Sequence, residues 1–403
     1  MNGKSGHTLL AALAMGLAAS FAARAVTYTV TDVGSLAQAD SGSRAYAVNA
    51  VGQVAGYSGH PFLFSRGGIT DLNPSLPASV FAPAPARDVN DSGTVVGFYL
   101  VNAVRRPFRW SAGAFQDLSA SATASEAAVG VNNAGDVAIV AGQSYVLKAD
   151  GSKTVLSGFT AGSAFVPSAI NDAGDVAGRA TTTAFADHAA IWRNGAAVDL
   201  GVLSGDSNSC ALGLNALGWA VGASYGPSAA TSTLHAFQYR DGVLAPLPGR
   251  SSAESCVATA INSAGRVVGY AGALAEGGET AALMWENGEV RDLQTLLPSN
   301  SGWTLVAARD INDAGQIAGT GVFQGGYHGF LLTPVPVPGD ANGDSLVTTQ
   351  DAALALGMAV GLTPTANPDL LDLAPSPSGN PKGYGDGRLD ALDVLRMLAI
   401  ASQ

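Results

Sequence analysis

The sequence predicts an all-β fold, a seven-bladed β-propeller of four-stranded blades, followed by a small α-helical module. Three observations predict the propeller. The segment Val48-Asn49-Ala50-Val51-Gly52 returns six more times, centred on Asn90, Asn132, Asn171, Asn215, Asn262 and Asn312, at spacings of 39 to 50 residues. That period is the length of one four-stranded blade. Each repeat divides into four short runs rich in β-branched and aromatic residues, separated by turn formers. Finally, the seventh repeat ends at Leu332 with no fourth run, and Tyr28-Thr29-Val30-Thr31-Asp32 supplies one ahead of the first repeat. A ring closed by its own N-terminal strand leaves no inner edge unpaired.

Within a repeat, the Asn-x-x-Gly turn links the first two strands. Its Asn is expected to cap local backbone, and its Gly to take a positive φ. A run such as Gln53-Val54-Ala55-Gly56-Tyr57 forms the second strand, Pro61-Phe62-Leu63-Phe64 the third and Gly68-Ile69-Thr70-Asp71-Leu72 the fourth. Third-strand aromatics at Phe108, Trp110, Trp192, Phe237, Tyr239, Trp285 and Phe330 are expected to fill the space between blades. First-to-second and third-to-fourth connections are short, whereas the second-to-third connection varies. The variable loops must therefore share a face with the links between blades, which makes that face the candidate for ligand contact. Its acids are Asp187, Asp206, Glu254, Glu276 and Glu279, read as solvated loop charge.

Composition agrees with a folded, turn-rich chain. Of 403 residues, 51 are Gly and 19 Pro, 47% are hydrophobic and only 13% charged. A net charge of −11 argues against a nucleic-acid partner. Lys4 and His7 precede an apolar run from Leu9 to Ala23, and Ala23-Arg24-Ala25 has the small-x-small pattern of a cleavage site, so residues 1–25 read as a secretory signal peptide. No later apolar stretch is long enough to span a bilayer.

The repeat resembles the HAF family of probable extracellular repeats over roughly residues 28–333. The likeness rests on Ile/Val-Asn-Asp-Ala-Gly followed by a His-Ala-Phe-like third strand. His235-Ala236-Phe237 matches outright, while His60-Pro61-Phe62, His188-Ala189-Ala190 and His328-Gly329-Phe330 each depart by one residue. The third copy, with Gln143-Ser144-Tyr145-Val146, is the weakest. The resemblance implies a secreted module and no particular activity. The four recurring histidines allow a ring of ligands or bases; hydrogen bonds to a neighbouring turn explain the recurrence more simply. Cys210 and Cys256, five and six residues before their repeat Asn, invite a disulfide between blades five and six. Asp88-Val89-Asn90-Asp91-Ser92-Gly93 is faintly like a calcium loop but lacks the terminal carboxylate.

A proline-rich linker, 334–338, ends the repeats, and a second module spans 339–403. Asp340, Asn342, Asp344, Thr348 and Asp351 stand at positions 1, 3, 5, 9 and 12 of a twelve-residue loop, with the Leu346 carbonyl at 7. This is the oxygen-donor pattern of a Ca2+ site, and an apolar helix from Ala352 to Val360 follows it. A second loop carries Asp386, Arg388, Asp390 and Asp393 ahead of a helix from Val394 to Ala401, but Lys382 and Tyr384 occupy its first two ligand positions. Asp372 is the carboxylate that an expanded loop would bring in. The tail resembles a type I dockerin, a duplicated calcium-loop module, which implies a cohesin-like partner or a surface component.

Taken together, these features predict a secreted, noncatalytic binding propeller tethered through a calcium-loaded tail, with a polysaccharide or protein ligand on the variable face. Two alternatives share them: an extracellular polysaccharide-degrading glycosidase or lyase on a propeller scaffold, and a structural envelope or matrix repeat protein. Clustered carboxylates on the variable face would favour the enzyme, and an aromatic face a binding module.

Overall fold

The computed structural model describes residues 27–36, 42–72, 85–120, 123–160, 162–274, 277–335, 339, 349–359, 393–394 and 397. The span Thr29–Thr333 is one compact unit, and the described residues after it belong to a second. The proposed signal segment, 1–25, lies outside the described residues.

The propeller is present in full. Seven four-stranded antiparallel sheets follow one another, each with its strands in chain order from the inside outward except the last. In blade one these strands are Arg44–Val48, Val54–Ser58, His60–Ser65 and Gly68–Asp71. Blade seven is built from Trp303–Ile311, Ile317–Phe323 and Gly326–Pro334, and the N-terminal strand Tyr28–Asp32 pairs outside them. The closure predicted from the missing fourth run is thus realised. Val33 donates its N–H to the Gly329 carbonyl at 3.1 Å. Val33 also packs with Ala318 and Leu331 of blade seven and with Ala45, Val48 and Phe62 of blade one.

Third-to-fourth hairpins in five blades turn on two residues, of which Asn194-Gly195 and Asn287-Gly288 are typical. Both residues have positive φ, 52° and 86° in the first case and 54° and 81° in the second. That double left-handed turn matches the right-handed twist of the paired strands.

The hydrophobic core lies between blades. Ala47, Ala55, Leu63 and Leu72 of blade one meet Ala86, Val89, Val95, Tyr99 and Phe108 of blade two, and equivalent clusters fill the other junctions. Phe62, Phe108, Phe237 and Phe330 are fully buried. Their rings lie across a second-strand glycine: a Cβ on Gly319 would stand 2.4 Å from the Phe330 ring and 2.2 Å from the Ala307 carbonyl. Blade three has Ile139, fully buried, where most blades have this glycine, which is where the repeat pattern weakens.

The repeat asparagines hold the ring. Each Asn Oδ1 accepts the backbone N–H four residues on, as Asn132 does from Asp136 at 2.9 Å, and so shapes its own turn. Each Nδ2 donates to the main-chain carbonyl of the next blade's Asn. The bonds run from Asn49 to Asn90, then to Asn132, Asn171, Asn215, Asn262 and Asn312, and from Asn312 back to Asn49, at 2.8 to 3.3 Å. All seven are buried. The turn-capping role expected from sequence is correct, and the inter-blade bond is an additional role.

Two predictions follow from closure. Asn132→Asp keeps the turn acceptor but replaces the Nδ2 donor with an oxygen facing the Asn171 carbonyl. A loss of about 1–3 kcal/mol in chemical denaturation is expected, the cost of an unmade buried bond. Deleting residues 26–36 removes the outer strand of blade seven, and a single cooperative melt at a clearly lower Tm is expected by calorimetry. An unchanged Tm would contradict closure by this strand.

Candidate ligand-binding channel

The inner strands surround a central channel, and its wall can be read directly from the repeat. The residue three before each Asn lines it: Tyr46, Arg87, Val129, Ser168, Leu212, Thr259 and Arg309, one per blade. A register shift in each inner strand brackets this position, so that the extra residue bulges toward the axis. The outer chamber, about 420 Å³, also includes Phe98, Arg105, Tyr270 and Leu274. These belong to the second-to-third strand ends, so the channel opens on the variable-loop face expected to contact ligand. A deeper chamber of about 230 Å³ reaches Asp88 and Asp310.

The rim is cationic and aromatic. Arg87 lies 5.2 Å from the Tyr46 ring centre and 5.8 Å from that of Phe98, and Arg105 lies 5.2 Å from Phe98 on the same blade. Both arginines are exposed. Arg309 lies 4.9 Å from the Tyr270 ring centre and pairs with Glu279. Its Nε is buried with no hydrogen-bond acceptor in the protein. Such contacts with ring faces hold the guanidinium planes in place.

Asp88 and Asp310 follow Arg87 and Arg309 in the chain, one position nearer the Asn turns, and line the second chamber. The Asp88 carboxylate accepts the N–H of Val131 in the next blade and of Val89, each at 2.8 Å. Asp310 accepts those of Val48 and Ile311 in the same way, also at 2.8 Å. These carboxylates clamp blade two to three and blade seven to one. Burial raises the Asp88 pKa to about 7, aided by the charge of Asp310, against the lowering effect of the two N–H bonds. Burial likewise raises Asp310 to about 6. The faint calcium-loop resemblance around Asp88 reflects this clamp.

Other residues singled out by sequence have structural partners. His60 Nδ1 meets Asp71 at 2.8 Å, His188 meets Asp199 at 3.0 Å and His328 meets Asp32 at 3.1 Å, each a third-strand imidazole against a fourth-strand carboxylate. Arg106 takes the same place opposite Asp117 in blade two, at 2.7 Å. His235 reaches Asp206 instead, at 3.0 Å, because Pro246 stands where blade five would carry its aspartate. Among the described residues no three His, Cys, Asp or Glu side chains converge as a metal site, so the histidines do not form a ligand ring. The variable-face acids are also engaged: Asp187 pairs with Arg179 at 3.2 Å and Glu254 with Arg250 at 2.6 Å, while Glu279 pairs with Arg309. They are ion-pair partners rather than solvated loop charge; Glu276 lies outside the described residues.

Cys210 and Cys256 are buried free thiols, so the expected bridge is not formed. Cys256 stands one register position beyond the equivalent of Cys210, which is Val257. Adjacent positions on a strand point to opposite faces, and the two sulfurs enter different clusters. Burial pushes the Cys210 thiol up to about 11 and the Cys256 thiol up to about 12.

In the tail, Asp340, Asn342, Asp344, Leu346, Thr348, Asp372, Asp386, Arg388 and Asp390 lie outside the described residues. Asp351 and Asp393 are described, and both are fully buried. Asp351 occupies the first turn of the helix Thr349–Ala359, which starts three residues before and ends one residue before the expected bounds, with Ala352 and Ala355 buried on one face. Asp393 and Val394 are helical, as is Met397, and all three are buried. The all-oxygen donor set of the first loop fits Ca2+.

No family model matches the chain, nor does any curated protein. Among solved structures it is similar to a streptogramin B lyase, at 12% identity over 77% of this chain and 98% of that one, with a TM-score of 0.48. It is likewise similar to a virginiamycin B lyase from Staphylococcus aureus, at 12% identity over 77% and 100%, with a TM-score of 0.47. TolB from Acinetobacter baumannii follows at 13% identity over 77% and 80%, with a TM-score of 0.38. The propeller assignment rests on the seven sheets of the chain itself.

The raised carboxylates give a pH signature. Each folded pKa exceeds the unfolded value of 3.8, so their stability contribution is complete below about pH 4 and is lost as pH rises through about 6 and 7. Replacing Asp88 by Asn removes one of these titrations. The denaturation midpoint of Asp88→Asn, relative to wild type, should therefore improve between pH 4 and pH 8. A constant difference across that range would show that Asp88 titrates normally.

Proposed function

We propose that the chain is a secreted, noncatalytic binding propeller, tethered through a calcium-binding dockerin-like tail to a cohesin-like partner or a cell surface. The observation that carries the binding reading is the composition of the channel mouth. It presents Arg87, Arg105 and Arg309 among Tyr46, Phe98 and Tyr270, on the face where the connections vary most. Aromatic and cationic walls suit recognition of a ligand by contact and charge. A hydrolase needs an acid and a base available to substrate, whereas Asp88 and Asp310 each hold two backbone N–H groups.

The tail supplies attachment in this reading. Asp340, Asn342, Asp344 and Asp351, with the Leu346 carbonyl and Thr348, would hold the first Ca2+; Asp372, Asp386, Asp390 and Asp393, with the Arg388 carbonyl, would hold a weaker second. The ion would neutralise clustered carboxylates and fix the start of each following helix.

Calcium titration of the full chain by calorimetry should resolve one tight and one weaker site. Asp340→Ala with Asp351→Ala should remove the tight one while leaving the propeller melt unchanged. Retention on an immobilised cohesin should disappear in chelator. Equal retention with and without calcium would refute the tether.

A further inference from the structure

We infer that the channel mouth recognises a carboxylate-bearing sugar, a uronate at the end of a glycan or in a short oligosaccharide, with Arg87 and Arg105 gripping its carboxylate. This rests on the binding-module reading and names its ligand class. The first support is where charge is placed. The chain carries a net charge of −11, yet the rim of its central cavity gathers three arginines. A long polyanion is repelled by the whole molecule, whereas an isolated anionic group is attracted by this rim once inside a Debye length, about 10 Å at 0.1 M salt.

The second support is donor geometry. Arg87 and Arg105 both contact the Phe98 ring, at 5.8 Å and 5.2 Å from its centre, and both line the same cavity mouth. A guanidinium matches the two oxygens of a carboxylate in a planar fork. Arg309 lines the same cavity two blades away, its guanidinium lying against Tyr270 and paired with Glu279, and adds a third cationic side chain to the wall.

The third support is polarity along the axis. Below the cationic rim lie Asp88 and Asp310, groups that accept hydrogen bonds and repel anions. A ligand that fits this sequence of charges carries its carboxylate toward the arginines and its hydroxyl groups toward Asp88 and Asp310, as a uronic acid can. Ser168 and Tyr46 add hydroxyl groups to the same wall, and a chamber of about 420 Å³ falls within the range of small-ligand pockets.

The test uses the full chain and titration calorimetry with four probes: a glucuronate-terminated disaccharide, its methyl ester, its sulfate-ester analogue on a neutral sugar, and an N-acetyl dipeptide with a free carboxylate. The uronate should bind at least tenfold tighter than the other three and weaken as salt rises. Arg87→Gln and Arg105→Gln should each weaken it several-fold, and together abolish it, at unchanged Tm. Arg240→Gln, on the third strand of blade five, should have no effect. Tighter binding of the sulfate ester or the dipeptide would overturn the inference, as would uronate binding that survives the double substitution. Equal binding of the neutral methyl ester would overturn the carboxylate while leaving a glycan-binding module intact. Binding of none of these probes, nor of any member of a neutral polysaccharide panel, would overturn both.

Discussion

A single side chain, repeated seven times, carries the closure of this fold. Each repeat asparagine uses its carbonyl to shape its own turn and its amide to reach the next blade's main chain, and the seventh bonds back to the first. Asparagine is suited to both tasks because its amide pairs an acceptor and a donor on one short stem. Aspartate would lack the donor, and serine would lack the reach. Because every acceptor carbonyl belongs to the next asparagine, the turns and the ring form one network.

That network determines which positions are free to vary. Residues two before and one before each asparagine are small or apolar with the exceptions of Asp88 and Asp310, since they pack between blades. The residue three before projects into the channel and is constrained only by what passes there. Hence one column of the repeat holds tyrosine, arginine, valine, serine, leucine and threonine in different blades, and the channel acquires its chemistry from it. The two aspartates replace packing with direct carboxylate clamps to neighbouring strands.

Charge elsewhere is arranged locally. Third-strand histidines and arginines meet carboxylates of fourth strands or blade links. Such partly exposed pairs contribute modestly, about 0–1 kcal/mol each. Their recurrence reflects repetition of one blade rather than a shared active centre. The buried thiols show the same locality: a one-residue offset between neighbouring repeats sends Cys210 and Cys256 to opposite strand faces, which proximity in sequence alignment had obscured.

The sequence by itself determined the number of blades, their four strands, the N-terminal closing strand and the face on which loops vary, because these follow from periodicity, turn chemistry and strand alternation, all local to the chain. The helix after the first acidic loop was legible for the same reason, as an apolar run opened by Asp351. Only the tertiary structure decided that Arg87, Arg105 and Arg309 share one rim, though their codes stand up to 222 positions apart by number. A weak signal existed: aligned on the asparagines, the third residue upstream is polar in most blades, whereas the second is polar only at Asp88 and Asp310. Its meaning required the ring, since a column in a repeat becomes a wall only when the blades are brought around a common axis. Likewise the pairing of His235 with Asp206, the clamp made by Asp88 and the bond from each asparagine to its successor join different repeats, and the distances that create them exist only once the circle has closed.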